Sequence, residues 1–315
     1  MSAIGGYFGL ELNDRGEYHR DGIRLNTGRN ALEFLLLTRK IKKIYIPYFT
    51  CDAVLEPIER NNIAWEFYHI NEEFEALFDF DSLEKAAFFL YTNYFGLKDS
   101  YISKLEKLTE RLIIDNSLSF FSRPLPGVPT FYTARKFFGV PDGAYLFSEE
   151  DRELELDQDH SFMRCEHLLK RIDVSAEEGF TAYQSNEEAL SDYPIRYMSA
   201  LTQRILASLD YESIASARRE NFLRVHQALK LSNKLNLELS EDSVPMFYPY
   251  WQEDPELRAR LTAKRIYTPV LWPNVLDWCS ADTLEYSFAK EILYLPIDQR
   301  YSVKEMNYIL NSLIS

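Results

Sequence analysis

The chain has 315 residues, of which 46% are hydrophobic and 27% charged, with 21 tyrosines and 21 phenylalanines, so it can bury a large core and is not a disordered segment. Its net charge of −14 argues against nucleic acid or an anionic membrane as the main partner, yet leaves room for a locally positive pocket that takes a small anion. Cys51, Cys165 and Cys279 are far apart and odd in number, which suggests neither a disulfide framework nor a zinc site. With no signal-like N-terminal segment and no apolar run of membrane-spanning length, the expected setting is the reducing cytoplasm.

Residues 29–40 predict a helix with basic residues in its last turn, followed by a short apolar strand, Lys43–Pro47, closed by proline. Cys51–Arg60 reads as a helix, Trp65–Ile70 as a strand, and Ala86–Tyr91 as a continuous apolar run that suits a buried parallel strand. Asp99–Arg111 is helical by pattern and Leu112–Asp115 is a second buried strand. Strands alternating with helices imply crossover connections, hence an α/β fold with a mostly parallel central sheet flanked by helices. Residues 151–192 are polar, lack a clear period and read as an excursion or mobile segment. Residues 197–230 keep helical periodicity and predict one long helix, bent near Asp210 if anywhere, that bridges two domains. Beyond it, strands at Met246–Trp251 and Ile292–Pro296 and helices at Pro255–Lys264 and Val303–Ile314 make a smaller α+β domain. The division expected is 1–205 for the large domain, N-terminal segment included, and 206–315 for the small one.

The stretch 110–148 carries the chemistry. Asp115 follows the apolar run Leu112-Ile113-Ile114, and Lys136 stands alone among aromatics before a Gly-containing turn. A buried carboxylate and a buried lysine are what pyridoxal phosphate requires: an amine to condense with its aldehyde and an acid to keep its ring nitrogen protonated. Four neighbouring aromatics, Phe131, Tyr132, Phe137 and Phe138, predict a desolvated, nucleophilic amine. The plain alternative is a strand-capping Asp115 and a surface Lys136.

Six segments in order resemble the DegT/DnrJ/EryC1/StrS family of sugar aminotransferases, pyridoxal phosphate enzymes of fold type I. They are Thr27-Gly28-Arg29-Asn30-Ala31-Leu32, Ile46-Pro47-Tyr48-Phe49-Thr50, Tyr91-Thr92-Asn93-Tyr94-Phe95-Gly96, Ile114-Asp115-Asn116-Ser117, Phe131 through Gly143 with Lys136, and Tyr197-Met198-Ser199 followed by Arg218-Arg219-Glu220-Asn221. The resemblance implies Lys136 and Asp115 as catalytic groups. It also implies a cofactor site built from Thr27, Gly28, Arg29, Phe49, Cys51, Asn93, Ser117 and Thr133. Gly28 admits a phosphate close to the backbone, and the Gly28 and Arg29 N–H groups at a helix start can hold an anion, with added charge from the Arg29 side chain. A simple helix cap by Thr27 is the competing account.

Some expected groups are missing. Cys51 stands where a ring-stacking aromatic is usual, so stacking falls to Phe49, to Tyr48 or to the thiol itself. Leu118 replaces a glutamine, Phe131 replaces a phosphate-binding serine for which Thr133 could substitute, and no asparagine precedes Met198. The five histidines show no metal spacing and read as structural, and Arg218-Arg219 reads as helix surface or interface. Tyr7 and Phe8 line the site or form an edge strand, and Trp251 and Trp272 read as core. The function implied is amino transfer to a nucleotide-linked keto-sugar with glutamate as donor, in a homodimer. A cofactor-fold binding protein without catalysis is the alternative. A nucleotide-binding module is a third reading, but no G-x-G-x-x-G or G-x-x-x-x-G-K-[ST] motif occurs.

Overall fold

Five parallel strands form the middle of the sheet in the computed structural model, which describes residues 4–149 and 154–314. In chain order the first part runs β1 (Ile23–Leu25), α1 (Gly28–Thr38), β2 (Lys43–Pro47), α2 (Leu55–Arg60), β3 (Ala64–Ile70), β4 (Ala76–Leu77), β5 (Ala87–Thr92), α3 (Asp99–Leu105), β6 (Leu112–Asn116), β7 (Thr130–Thr133) and β8 (Ala144–Phe147). The spatial order is β1-β8-β7-β6-β5-β2-β3-β4, with β7, β6, β5, β2 and β3 mutually parallel and β8, β1 and β4 antiparallel additions. The chain leaves β2 toward β3 on one side and returns to β5 on the other. The crevice of this open α/β sheet therefore lies at the carboxyl ends of β2 and β5.

Strand residues alternate between two cores because successive side chains point to opposite faces. Ile44, Ile46, Leu90, Ile113 and Phe131 pack with α1 on one face. Tyr45, Phe89, Tyr91, Ile114 and Tyr132 join a larger core on the other.

The second part contains α4 (Glu166–Asp173), α5 (Ala176–Ala189), α6 (Ala200–Ala207), α7 (Tyr211–Leu229), β9 (Phe247–Tyr250), α8 (Leu257–Ala263), α9 (Val275–Trp278), α10 (Leu284–Glu291), β10 (Leu293–Pro296) and α11 (Val303–Ile314). Strands β9 and β10 pair antiparallel, and their side chains merge with the larger sheet core. The expected division at 205/206 falls inside α6, and hydrophobic packing is continuous across it. Buried Glu285 of α10 ties the two parts by accepting from the Ile70 N–H at 2.8 Å and bonding His69 Nδ1 at 3.0 Å.

Two expectations are corrected. The segment 151–192 is helical over α4 and α5, its residues 151–153 lying outside the described ones. The two helices pack chiefly on each other and leave Leu169, Ile172 and Phe180 exposed; α4 is only about two turns long, and α5 carries no wide apolar stripe to mark it in the sequence. The single helix over 197–230 is two: α6 ends at Ala207, and α7 begins after Asp210, whose carboxylate accepts from the Ser213 N–H. Tyr7 and Phe8 lie in exposed coil and form no edge strand.

His19 is 4% exposed amid Tyr18, Phe120, Tyr132 and Tyr145, and its Nε2 donates to the Phe120 carbonyl at 2.6 Å. Burial pushes its pKa down to about 4. The folded state then binds fewer protons than the unfolded chain between about pH 6.5 and 4, so its contribution is present above 6.5 and lost as pH falls through 4. Denaturant unfolding should lose about 2 kcal/mol between pH 7 and 4.5 through this group. In His19→Gln that part of the pH dependence should vanish; an unchanged slope would show that His19 is solvated.

Candidate active site

The carboxyl ends of β5, β6 and β7 and the start of α1 meet at one place. Asp115 and Thr133 are spaced by two from Ile113 and Phe131, so both project onto the α1 face. Asn93 and Asn116 fall on the opposite face for the same reason. Helix α1 begins at Gly28, with Thr27 as N-cap accepting from the Asn30 N–H at 3.1 Å, worth about 1 kcal/mol. The N–H groups of Gly28 and Arg29 precede any intrahelical acceptor and point outward. A Cβ added at Gly28 would lie 3.6 Å from both Ser117 Oγ and Thr133 Cβ. The missing side chain thus leaves a cradle bounded by two hydroxyl-bearing residues and a helix start, a donor set suited to phosphate.

Asp115 is 4% exposed, and its Oδ1 accepts from the Ser117 N–H at 2.7 Å. Burial raises its pKa, against the opposing pull of the Lys136 charge and the Ser117 bonds. A ring N–H⁺ beside it would supply the charge that burial withholds. Next to it in register, Thr92 has a buried hydroxyl with no partner among the described residues. Sequence reasoning missed Thr92, although its spacing of two from Leu90 places it on the α1 face.

Lys136 lies in a turn over residues 134–138, where the Phe137 and Phe138 N–H groups both donate to the Ala134 carbonyl, at 3.0 and 2.9 Å. Its side chain is exposed, which corrects the expectation of a desolvated amine: the four aromatics pack away from it into the cores. The amine forms no hydrogen bond or ion pair among the described residues, and its charge acts on both Asp115 and Cys51. Cys51, half-buried, is therefore a neighbour of the lysine. Burial raises its thiol pKa and the Lys136 charge opposes this.

Three expected contacts are not available. Phe49 is fully enclosed by Trp272, at 4.6 Å between centroids, and by Phe288, Phe74 and Tyr94, so neither of its faces is open to a ligand ring. Asn93 spends its amide on Asp99 Oδ1 at 2.7 Å and Asn116 Oδ1 at 3.0 Å, on the wrong face of the sheet. The Arg29 guanidinium is paired with Glu56 at 2.8 Å, leaving only its backbone N–H to the cradle. Tyr48 stacks on Phe67 at 4.3 Å. Leu118 and Phe131 are core residues, so no polar group replaces the missing glutamine and serine at those positions. Arg218, expected on a surface, is 2% exposed.

No protein-family model and no curated relative matches the chain. Among solved structures, a DegT DnrJ EryC1 StrS aminotransferase from Brucella abortus superposes with a TM-score of 0.61 at 18% identity, covering 93% of this chain and 84% of that one. Sugar aminotransferase CalS13 from Micromonospora echinospora gives 0.63 at 12% identity, covering 92% and 86%. E. coli GDP-4-keto-6-deoxy-D-mannose-3-dehydratase with bound hydrated PLP gives 0.63 at 11%, covering 93% and 87%. The chain has their fold. It is the fold type I architecture, a central sheet with flanking helices and a smaller C-terminal part, that this protein shares with them.

The residues fit pyridoxal phosphate at three places: the cradle for its phosphate, Asp115 for its ring nitrogen and Lys136 for its aldehyde. They do not supply an aromatic ring to stack on it. Gly28→Ala should weaken binding of pyridoxal phosphate at least about tenfold by filling the cradle, with stability little changed because alanine suits a first helical turn. Unchanged affinity by calorimetry would place the phosphate elsewhere.

Proposed function

We propose that the protein is a pyridoxal phosphate-dependent aminotransferase that acts on a nucleotide-linked keto-sugar, takes its amino group from glutamate, and works as a homodimer in the cytoplasm. The observation that carries the reading is the unpaired amine of Lys136 beside buried Asp115 and the Gly28 cradle, at the carboxyl edge of the sheet. The sugar-acting structures that share the fold support the substrate class.

When bound, pyridoxal phosphate supplies an electron sink for the bonds of the substrate carbon. Everything else falls to residues of this chain. The Gly28 and Arg29 N–H groups with the Ser117 and Thr133 hydroxyls bind and orient the phosphate. Asp115 holds a proton at the ring nitrogen, and its burial makes that charge pair strong. Lys136, once free, carries a proton to and from the substrate carbon through Nζ. Its exposure gives it the freedom to move that this task needs.

The reading of a cofactor-fold protein without catalysis is favoured by one set of observations: Phe49, Asn93 and the Arg29 guanidinium are all occupied by protein partners. Borohydride treatment of protein mixed with pyridoxal phosphate decides the first step. Mass spectrometry should place the adduct on Lys136; an adduct on another lysine, or none, removes the enzyme reading. Incubation with glutamate should then convert the bound cofactor to its amino form, and failure at that stage with Lys136 labelled would favour the non-catalytic protein.

The homodimer is supported by side chains with no cover in one copy, Tyr7 and Phe8 at 98% and 91% exposure and the outer residues of α4 and α5. Light scattering should give about twice 37.0 kDa at micromolar concentration. A strict monomer would remove the shared-site part of the proposal.

A further inference from the structure

The turn that carries Lys136 is held from the C-terminal part of the molecule. The carbonyl of Phe137, the residue after the lysine, accepts from Gln299 Nε2 at 3.0 Å and from Arg218 Nη2 at 3.4 Å. The Arg218 guanidinium also sits 4.6 Å from the centre of the Phe137 ring. Its remaining bonds go to Gln299 Oε1 at 2.8 Å and to the carbonyls of Met246 and Pro245 at 3.1 and 3.3 Å. Thus α7 and the loop after β10 converge on one peptide group of the lysine turn, and the approach to β9 holds the Arg218 guanidinium in place.

Arg218 is a buried cation with no carboxylate in ion-pair range among the described residues. The carboxylate whose charge acts on it, Asp298, is already paired with Arg300 at 2.7 Å. Burial pushes the Arg218 guanidinium down to about 10, so it remains charged at neutral pH. A charge placed this way is a poor device for stability alone, since its desolvation is compensated only by carbonyl and amide dipoles and one aromatic face. Its geometry has a clearer use. The Lys136 amine has no hydrogen bond or ion pair among the described residues, and the clamped carbonyl lies in the peptide between Phe137 and Phe138, one residue beyond the lysine.

We propose that Arg218 and Gln299 are positioning residues that clamp the Phe137 carbonyl and thereby set where the Lys136 amine can reach, so that the C-terminal part aims the reactive lysine. This rests on the assignment of Lys136 in the proposed function. Neither residue touches the reacting atoms; both act through the backbone.

Gln299→Glu separates the clamp from the brace. A carboxylate at 299 keeps an acceptor for Arg218 Nε and loses the only hydrogen that Gln299 gives to Phe137. Gln299→Leu loses both, and Arg218→Lys keeps the charge and loses the fork. In both Gln299 variants, hydrogen exchange at the Phe137 and Phe138 amides should speed up about tenfold. Reductive methylation with formaldehyde and cyanoborohydride should change at Lys136 relative to exposed Lys104 by about threefold or more. The Gln299→Glu denaturation midpoint should stay at the wild-type value.

The proposal is overturned if folded Gln299→Glu and Gln299→Leu leave the turn's exchange and the Lys136:Lys104 ratio as in wild type. It is equally overturned if exchange rises throughout the C-terminal part while that ratio stays fixed, which would make the contact a plain structural brace. Should a Gln299 variant fail to fold, Arg218→Lys is read by the same two measurements. Neither measurement uses cofactor, so absence of a pyridoxal phosphate adduct on wild-type Lys136 sinks the proposed function alone.

Discussion

The backbone of Gly143 joins the two halves of the site. Its N–H donates to the Asn26 carbonyl at 2.6 Å, just before the cap of α1, and its carbonyl accepts from the Ala134 N–H at 3.0 Å, two residues before Lys136. One residue, through the peptide groups on either side of it, therefore links the cradle to the lysine turn. Only glycine serves there. Its φ is +119°, and a Cβ would come within 2.9 Å of Thr202 Cγ2 in α6. The neighbouring Asp142, fully buried, accepts from the Ser199 N–H at 2.8 Å and from the Ser199 and Thr202 hydroxyls, pinning the start of α6 against the same turn. A buried carboxylate at a helix start satisfies free N–H groups and meets the positive end of the dipole.

Much of this was legible from residue patterns, and the failures have physical causes. Strands β2, β5 and β6 were readable because strands buried on both faces become apolar runs, whereas half-exposed β3 was read from its aromatic residues; β2 has the expected bounds, β3 and β6 differ by one residue at one end, and β5 is shifted by one residue at both ends. Strands β1, β7 and β8, three or four residues long, are too short to show a period. Asp115, Gly28 and Lys136 were singled out because the proposed chemistry needs particular residue types, and the structure brings them to one edge of the sheet. Asn93 was misplaced because a motif match ignores the pleat, which sends it to the face opposite Asp115. Phe49 and Arg218 were misjudged because a ring or a guanidinium looks the same in sequence whether it meets a ligand or another part of the chain.

The electrostatics of the site follow from the same competition between ligand and protein. Arg29 and Arg135 stand near the cradle, yet each is paired, with Glu56 and with Glu187. Arg135 keeps a buried Nε without a partner among the described residues, and burial lowers its pKa to about 10. An anion here meets neutral dipoles first, from the helix start and two hydroxyls, with paired arginines behind them. Such a site holds phosphate by directed hydrogen bonds more than by net charge, so its affinity falls less steeply with salt than an arginine clamp would. It also reconciles a net charge of −14 with an anionic cofactor, because the attraction is local and the repulsion is screened over about 10 Å.

Cofactor retention then depends on how the remaining contacts divide the work. With Phe49 closed into the aromatic core and Tyr48 stacked on Phe67, the group left beside Lys136 is the Cys51 thiol. An aromatic pair contributes about 0.5–1.5 kcal/mol beyond area burial, and a thiol gives up most of that along with contact area. The loss falls on the one interaction that holds the ring flat without fixing its edges. What would remain under the proposed function holds edges only: the cradle for the phosphate, Asp115 for the ring nitrogen and Lys136 for the aldehyde. In the proposed reaction Lys136 would have to release the ring to act on the substrate carbon, and the residues left to hold the ring would be Asp115 and those of the cradle. The rigidity of the Gly143 link and of the lysine turn matters more here than it would under an aromatic lid, because no stacking surface stands ready to return a tilted ring to register.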